Sequence, residues 1–131
     1  MLELKNLQTF YGGIQALKDV SMEVSEGEII TLIGANGAGK TTTIQMMAGL
    51  LTPTSGSVNI CGIDMLREPE KAKMRIGLIP DRPYLYEKLT GMEFLKFTAD
   101  LYGVPDDIFS QKAQQNLEMF SLADWSDELI E

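Results

Sequence analysis

The stretch LIGANGAGKTTT, Leu32 to Thr43, holds the residues best able to do chemistry. Gly34, Gly39, Lys40 and Thr41 fill the fixed positions of the phosphate-binding pattern G-x-x-x-x-G-K-S/T, with Ala35, Asn36, Gly37 and Ala38 between them. Each type has a physical task. The glycines permit backbone angles that turn several N–H groups inward as an anion nest and leave room for phosphate oxygens. Lys40 is a mobile cation able to reach the β- and γ-phosphates, and Thr41 offers a hydroxyl to Mg²⁺. A helix opening at this point adds the positive end of its dipole. With glycine at ~7% of residues, a chance match in a chain this long is on the order of one in a few hundred.

The flanks supply the context the motif requires. EIITLI (28–33) is a short β-branched apolar run, predicting a strand buried on both faces. After the loop, Ile44, Met47, Ala48 and Leu51 recur at helical spacing, and Pro53 ends that helix. Upstream, residues 2–10 and 17–24 mix apolar and polar positions as half-buried strands do, with a turn at Gly12-Gly13. A second turn falls at Ser25-Glu26-Gly27. SVNICG (57–62) and RIGLIP (75–80) predict further strands, with a charged segment from Arg67 to Lys73 between them.

From Thr90 the texture becomes helical. Thr90-x-x-Glu93 fits a capping box, and Phe94, Leu95, Phe97 and Leu101 give the following helix an apolar face. Gly103-Val104-Pro105 breaks it. A second helix is predicted over 106–120, with Phe109, Ala113, Leu117 and Phe120 as its stripe. The expectation is an α/β chain whose residues 1–89 form a β-subdomain with a phosphate-loop core and whose residues 90–131 begin a helical subdomain.

Composition narrows the function classes. The 131 residues carry a net charge of −8, against nucleic acid as the main partner, since that binding needs a basic surface. No apolar run approaches the ~20 residues of a bilayer span. The N-terminus lacks the basic start and apolar core of a signal peptide, and Cys61 is the only cysteine, so a reducing, cytosolic setting is expected. Histidine is absent, excluding imidazole chemistry such as Ser-His-Asp hydrolysis from these residues.

YGG (11–13), GANGAGKTTT, GLLTPTSGSV and RIGLIPDRPYLYEKLTGMEFL follow one another in the order and spacing of ATP-binding-cassette (ABC) transporter ATPase subunits, which the whole chain resembles. Residues 1–42 resemble the ATPases of branched-chain amino acid importers, and residues 49–103 those of ABC-2-type export systems. The resemblance implies a P-loop NTPase core, ATP and Mg²⁺ as ligands, transmembrane permease subunits and a second ATPase subunit as partners, and a place on the cytoplasmic face of the membrane. By position, Tyr11 would stack on adenine, with Phe10 the neighbouring alternative. Gly34, Asn36, Gly37, Ala38, Gly39 and Lys40 would hold the phosphates, Thr42 would contact the α-phosphate, and Thr41 would face Mg²⁺. Asp81 departs from the family, which most often has glutamine there to bind Mg²⁺ and the attacking water. A carboxylate can still face Mg²⁺ through water; read alone, Asp81 is equally a turn residue beside Arg82-Pro83. Tyr84, Leu85 and Tyr86 fall where the family meets its transmembrane partner, and can be interface or core.

The family's catalysis needs more than these residues contain. No LSGGQ-like signature, no apolar strand ending in Asp-Glu and no switch histidine occur in the sequence. The chain thus resembles the N-terminal part of a longer subunit, without autonomous ATPase activity. On its own, EIITLI is expected to leave an open apolar sheet edge that pairs with another chain. Two other enzyme classes fit poorly. Asp100-Leu101-Tyr102-Gly103 matches the D-x-x-G of GTP switches but ends a helical stripe, and a small-molecule kinase would bring arginines to the phosphoryl group, whereas Arg67, Arg75 and Arg82 are scattered. A non-catalytic nucleotide-binding or interaction fragment remains the alternative.

Overall fold

The computed structural model describes residues 1–130, which form two compact units, Met1–Leu78 and the residues from Ile79 onward. The first is built on a four-stranded antiparallel sheet in the order β2-β1-β3-β4, from β1 (Leu2–Tyr11), β2 (Ile14–Val24), β3 (Ser55–Ile60) and β4 (Ile63–Asp64). β1 and β2 form a hairpin closed at Gly12-Gly13, where Gly12 has a positive φ of 60° and Tyr11 pairs with Ile14.

β1 carries the leucines of the core, and its irregularity lets it do so. Leu4 and Leu7 are both fully buried, although a spacing of three puts residues on opposite faces of a regular strand. The pairing shifts between them: Leu4 faces Met22 but Leu7 faces Val20, so Lys5 and Asn6 oppose Ser21 alone. This bulge turns the strand by one residue and returns Leu7 to the core face. Asn6 takes φ 49° there, with its N–H donating to Ser21 Oγ (2.9 Å) and its side-chain amide to Asp19 Oδ1 (2.7 Å). On the other edge Gly56, at φ 92°, lies against the same bend.

Against the sheet pack α1 (Lys40–Met47) and the short α2 (Pro69–Lys73), whose Glu68–Lys71 ion pair lies at its first turn. The core gathers Leu4, Leu7, Leu17, Met46, Val58, Ile60, Met65 and Ala72. Helix α1 presents a different face from the predicted one. Thr43 and Met46 are buried, with Met47 and Leu51 half-covered and Ile44 exposed. Burying Thr43 costs little because its hydroxyl donates to Gly39 O (2.9 Å).

Two predicted strands do not form. Residues 28–33 and 75–80 have no ladder partner among the described residues, and Ile29 and Ile33 are 98% and 90% exposed. Their β-branched apolar composition encodes burial between layers. An extended segment becomes a strand only when a neighbour takes up its N–H and C=O groups, and here the antiparallel sheet pairs its four strands with one another.

In the second unit α3 (Gly91–Leu101) begins at the predicted capping box. The Glu93 N–H donates to Thr90 Oγ1 (3.2 Å) and the Thr90 N–H to Glu93 Oε2 (2.8 Å). Gly103, at φ 65°, turns the chain into α4 (Asp106–Met119). Lys96 ties the two helices together. It pairs with Asp100 and with Asp106 (2.9 Å) and lies 5.6 Å from the Phe109 ring centre. The Asp100 and Asp106 carboxylates hold its ammonium above the ordinary lysine range. On the predicted stripe of α4, Ala113 is buried but Phe120 is exposed.

The sheet's bend gives a direct test. A Cβ on Gly56 would sit 2.4 Å from Lys5 O and 2.5 Å from Asn6 O, both rigid backbone. Gly56→Ala is therefore expected to lower stability by about 2–4 kcal/mol through this clash and the positive φ. Urea unfolding measures it, and an unchanged midpoint would contradict the bend as described.

Candidate functional site

The glycine loop runs from Gly34 to Gly39 and delivers the chain into α1. Its first turn closes through an Ala38 N–H to Ala35 O hydrogen bond (3.1 Å), with Gly37 at φ 83°. Gly39 is the N-cap of α1 at φ 84°, ψ 7°, a left-handed conformation that only glycine adopts at low cost. No side chain caps this end, so the first N–H groups of α1 are left for another acceptor. The Gly39 carbonyl receives both the backbone N–H and the hydroxyl of Thr43, each at 2.9 Å.

What fixes the loop to the sheet is a contact that needs a missing side chain. A Cβ on Gly39 would lie 2.3 Å from Leu17 Cδ2 and 3.4 Å from Ala16 O. Leu17 is buried in the sheet core, so the helix N-terminus rests on β2. Leu17 pairs with Thr9, and Tyr11 lies two residues further along β1, about 7 Å on at the rise of a strand. The hairpin end bearing Tyr11 and Phe10, both exposed, thus belongs to the region that seats the loop.

Lys40 folds back over its own loop. Its Nζ donates to Gly34 O (2.6 Å) and to Ala35 O (2.9 Å). Gly34 to Ala38 and Thr41 are exposed, while Thr42 is half-buried on the first turn of α1. This is a concave run of backbone donors with a tethered ammonium, suited to an anion of phosphate type. Mg²⁺ keeps several waters and takes one or two protein oxygens beside phosphate oxygens, so the exposed Thr41 hydroxyl fits a metal held this way. No group of three or more His, Cys, Asp or Glu side chains suited to a metal occurs among the described residues. Asp81 is exposed and belongs to the second unit, in a bend before Pro83. Gly34, Asn36, Gly37, Ala38, Gly39, Lys40, Thr41, Thr42 and Tyr11 all belong to the first.

Sequence reasoning missed two participants. Leu17 looks like any strand leucine, and nothing local announces the glycine pressed against it. Thr43 carries a readable signal, since a threonine four residues after a carbonyl at a helix start can return its hydroxyl to it.

A glycine loop feeding an uncapped helix N-terminus, with a lysine as the helix's first residue, defines a P-loop nucleotide-binding protein. The family model described as "ABC transporter" matches residues 17–131, and the chain belongs to that family. It is similar to the uncharacterized ABC transporter ATP-binding protein YxlF of Bacillus subtilis (strain 168), 40% identical over 122 residues that make up 93% of this chain and 40% of that protein. Among solved structures it matches an ATP binding subunit of an ABC transporter with a TM-score of 0.93 and 36% identity, covering 98% of this chain and 54% of that one. It also matches MJ0796, a bacterial ABC transporter cassette solved as a dimer, with a TM-score of 0.81 and 28% identity over 98% of this chain and 61% of that one. The chain thus spans about half the length of these relatives.

The Gly39 seat can be probed without nucleotide. Gly39→Ala must displace Leu17 and strain a positive φ, so it is expected to cost about 2–3 kcal/mol of stability. Gly39→Ala combined with Leu17→Ala relieves the clash, and its cost should fall well below the sum of the two single losses. Additive losses in a urea double-mutant cycle would show that the two residues do not touch.

Proposed function

We propose that this chain is the nucleotide-binding portion of an ABC transporter subunit that couples ATP binding and hydrolysis to transmembrane transport. The observation that carries the reading is the Gly34–Gly39 loop opening α1 at an uncapped N-terminus. In this reading residues 1–89 form the β-subdomain and phosphate-loop core, and residues 90–131 begin the helical subdomain.

The residues divide the work. Tyr11 stacks on adenine, where two flat π-faces gain perhaps ~1 kcal/mol beyond the area they bury. Backbone N–H groups from Gly34, Asn36, Gly37, Ala38 and Gly39 surround the phosphates. Lys40 leaves the Gly34 and Ala35 carbonyls and takes phosphate oxygens in their place, exchanging two neutral acceptors for anionic ones. Thr42 contacts the α-phosphate. Thr41 and, through water, Asp81 hold Mg²⁺, which neutralises charge on the β- and γ-phosphates when bound. Lys40 and Asp81 are the catalytic residues this chain would contribute. The signature, the Asp-Glu strand and the switch histidine are not in this sequence, so hydrolysis is assigned to a subunit that has them.

The partners in this reading are transmembrane permease subunits and a second ATPase subunit, as the dimeric relative supports. The subunit then lies on the cytoplasmic face of the membrane, held there by its permease, since no described helix is long and apolar enough to cross. A net charge of −8 argues against nucleic acid. For the 131 residues by themselves, non-catalytic nucleotide binding is the reading their content favours.

Titration with ATP and GTP, with and without Mg²⁺, tests the site. ATP is expected to bind more tightly than GTP and more tightly with Mg²⁺. Lys40→Ala should weaken ATP at least about tenfold, the scale of one lost charge-assisted hydrogen bond. Equal binding by the wild type and Lys40→Ala would rule the loop out as the phosphate site.

A further inference from the structure

The charge of this protein is concentrated in one of its two units. Residues 1–78 carry eight acidic and seven basic side chains, a net of −1. From Ile79 onward eleven acidic side chains face four basic ones, a net of −7. Of those four cations, Lys96 is engaged between Asp100 and Asp106.

The same unit holds an open groove of about 540 Å³, walled by the stretch from Pro83 to Lys88 and by Ile130. Tyr84 stands at this groove 84% exposed, an unusual state for a large aromatic ring that is nonetheless held in place. Its ring meets Tyr86 edge-on at 5.9 Å, and Tyr86 meets Phe97 of α3 edge-on at 5.6 Å. The segment carrying Ile130 is fastened alongside. The Ile130 N–H donates to Leu89 O (3.0 Å) and the Met92 N–H to Ser126 O (2.8 Å). That segment brings the exposed carboxylates Asp127 and Glu128 to the side of the groove, while Glu87 lies in its wall and Asp81 just before it. Arg82 and Lys88 are the cations of this stretch, so the surroundings stay net negative.

We infer that this groove docks an amphipathic segment of a partner protein that places apolar side chains against Tyr84 and Leu85 and lysine or arginine side chains against the surrounding carboxylates. The inference rests on the reading above, in which the partner is a membrane protein, and adds the chemistry of the contacting segment. Charge complementarity selects it. Cytoplasmic loops of membrane proteins carry an excess of lysine and arginine, whereas an anionic lipid surface would be repelled by a unit of this charge. The apolar ring supplies the anchor, and the carboxylates supply steering that salt screens.

The probe is a fluorescent amphipathic helical peptide of about 18 residues, five turns, with leucine on one face and lysine on the other; its counterpart has glutamate for every lysine. Anisotropy titrations use the whole chain. At about 20 mM salt the lysine peptide is expected to bind at least about tenfold more tightly than the glutamate peptide, and this preference should shrink severalfold at about 500 mM. Tyr84→Ser should weaken the lysine peptide about fivefold or more. The triple variant Glu87→Gln, Asp127→Asn, Glu128→Gln should remove most of the preference. All these positions are exposed, and circular dichroism confirms folding. Equal affinity for the two peptides, a preference that survives the triple variant, or indifference to Tyr84→Ser would each overturn the inference. Binding to phosphatidylserine vesicles in place of the peptide would overturn it in favour of a lipid surface. Failure of ATP to bind, with the peptide preference intact, would sink the nucleotide reading and leave the groove's chemistry standing.

Discussion

The site depends on one glycine having no side chain. Gly39 lies where a Cβ would overlap Leu17 Cδ2, so the N-terminus of α1 can settle directly on the sheet. Leu17 in turn sits in the core with Leu4, Leu7 and Met46, and the hydroxyl and N–H of Thr43 both close onto the Gly39 carbonyl. The loop therefore need not be ordered by its own contacts, which are few. It is suspended between a fixed strand and a fixed helix, and its donors stay unused. A site that must bind and release an anion gains from this arrangement, because its rigidity comes from apolar packing that the anion does not disturb.

The sheet behind Leu17 achieves its packing by departing from regularity. A strictly alternating β1 would place Leu4 and Leu7 on opposite faces. The bulge at Lys5-Asn6 puts them on one, at the cost of a positive φ at Asn6, which the side chains of Ser21 and Asp19 help to hold. Gly56 then fits against the bend from the other edge. Three residue choices at distant positions serve one local bend, and the leucine core that seats the loop follows from it.

What could be read from the sequence was what is local. The phosphate loop, the Gly12-Gly13 hairpin turn and the Thr90–Glu93 capping box are each written within a few consecutive residues, and each has the expected form. The family and its α/β, P-loop fold class were legible for the same reason, since the motifs keep their order and spacing. What failed depended on distant partners. EIITLI and RIGLIP have strand composition, but pairing is a property of two segments, and among the described residues none lies beside either. The face of α1 was misjudged because apolar spacing favoured Ile44, whereas the Gly39 carbonyl lets Thr43 turn inward with its hydroxyl satisfied. The bulge at Asn6 had no signal strong enough to shift the register by one.

The two unpaired apolar segments and the acidic groove make opposite demands on a partner. Ile29 and Ile33 expose β-branched surface together with unpaired backbone, which is satisfied by another strand and hardly at all by charge. The groove at Tyr84 offers a rigid ring within a field of carboxylates, satisfied by an amphipathic basic segment and indifferent to strand geometry. The chain spans about half the length of its relatives, and the first demand is of the kind that further chain of the same fold meets from within. The second is directed outward. A strand partner would bind through main-chain hydrogen bonds, with an affinity that changes little with salt, whereas a groove partner would weaken as salt rises. Salt dependence thus separates the surface that completes the fold from the surface that finds the partner.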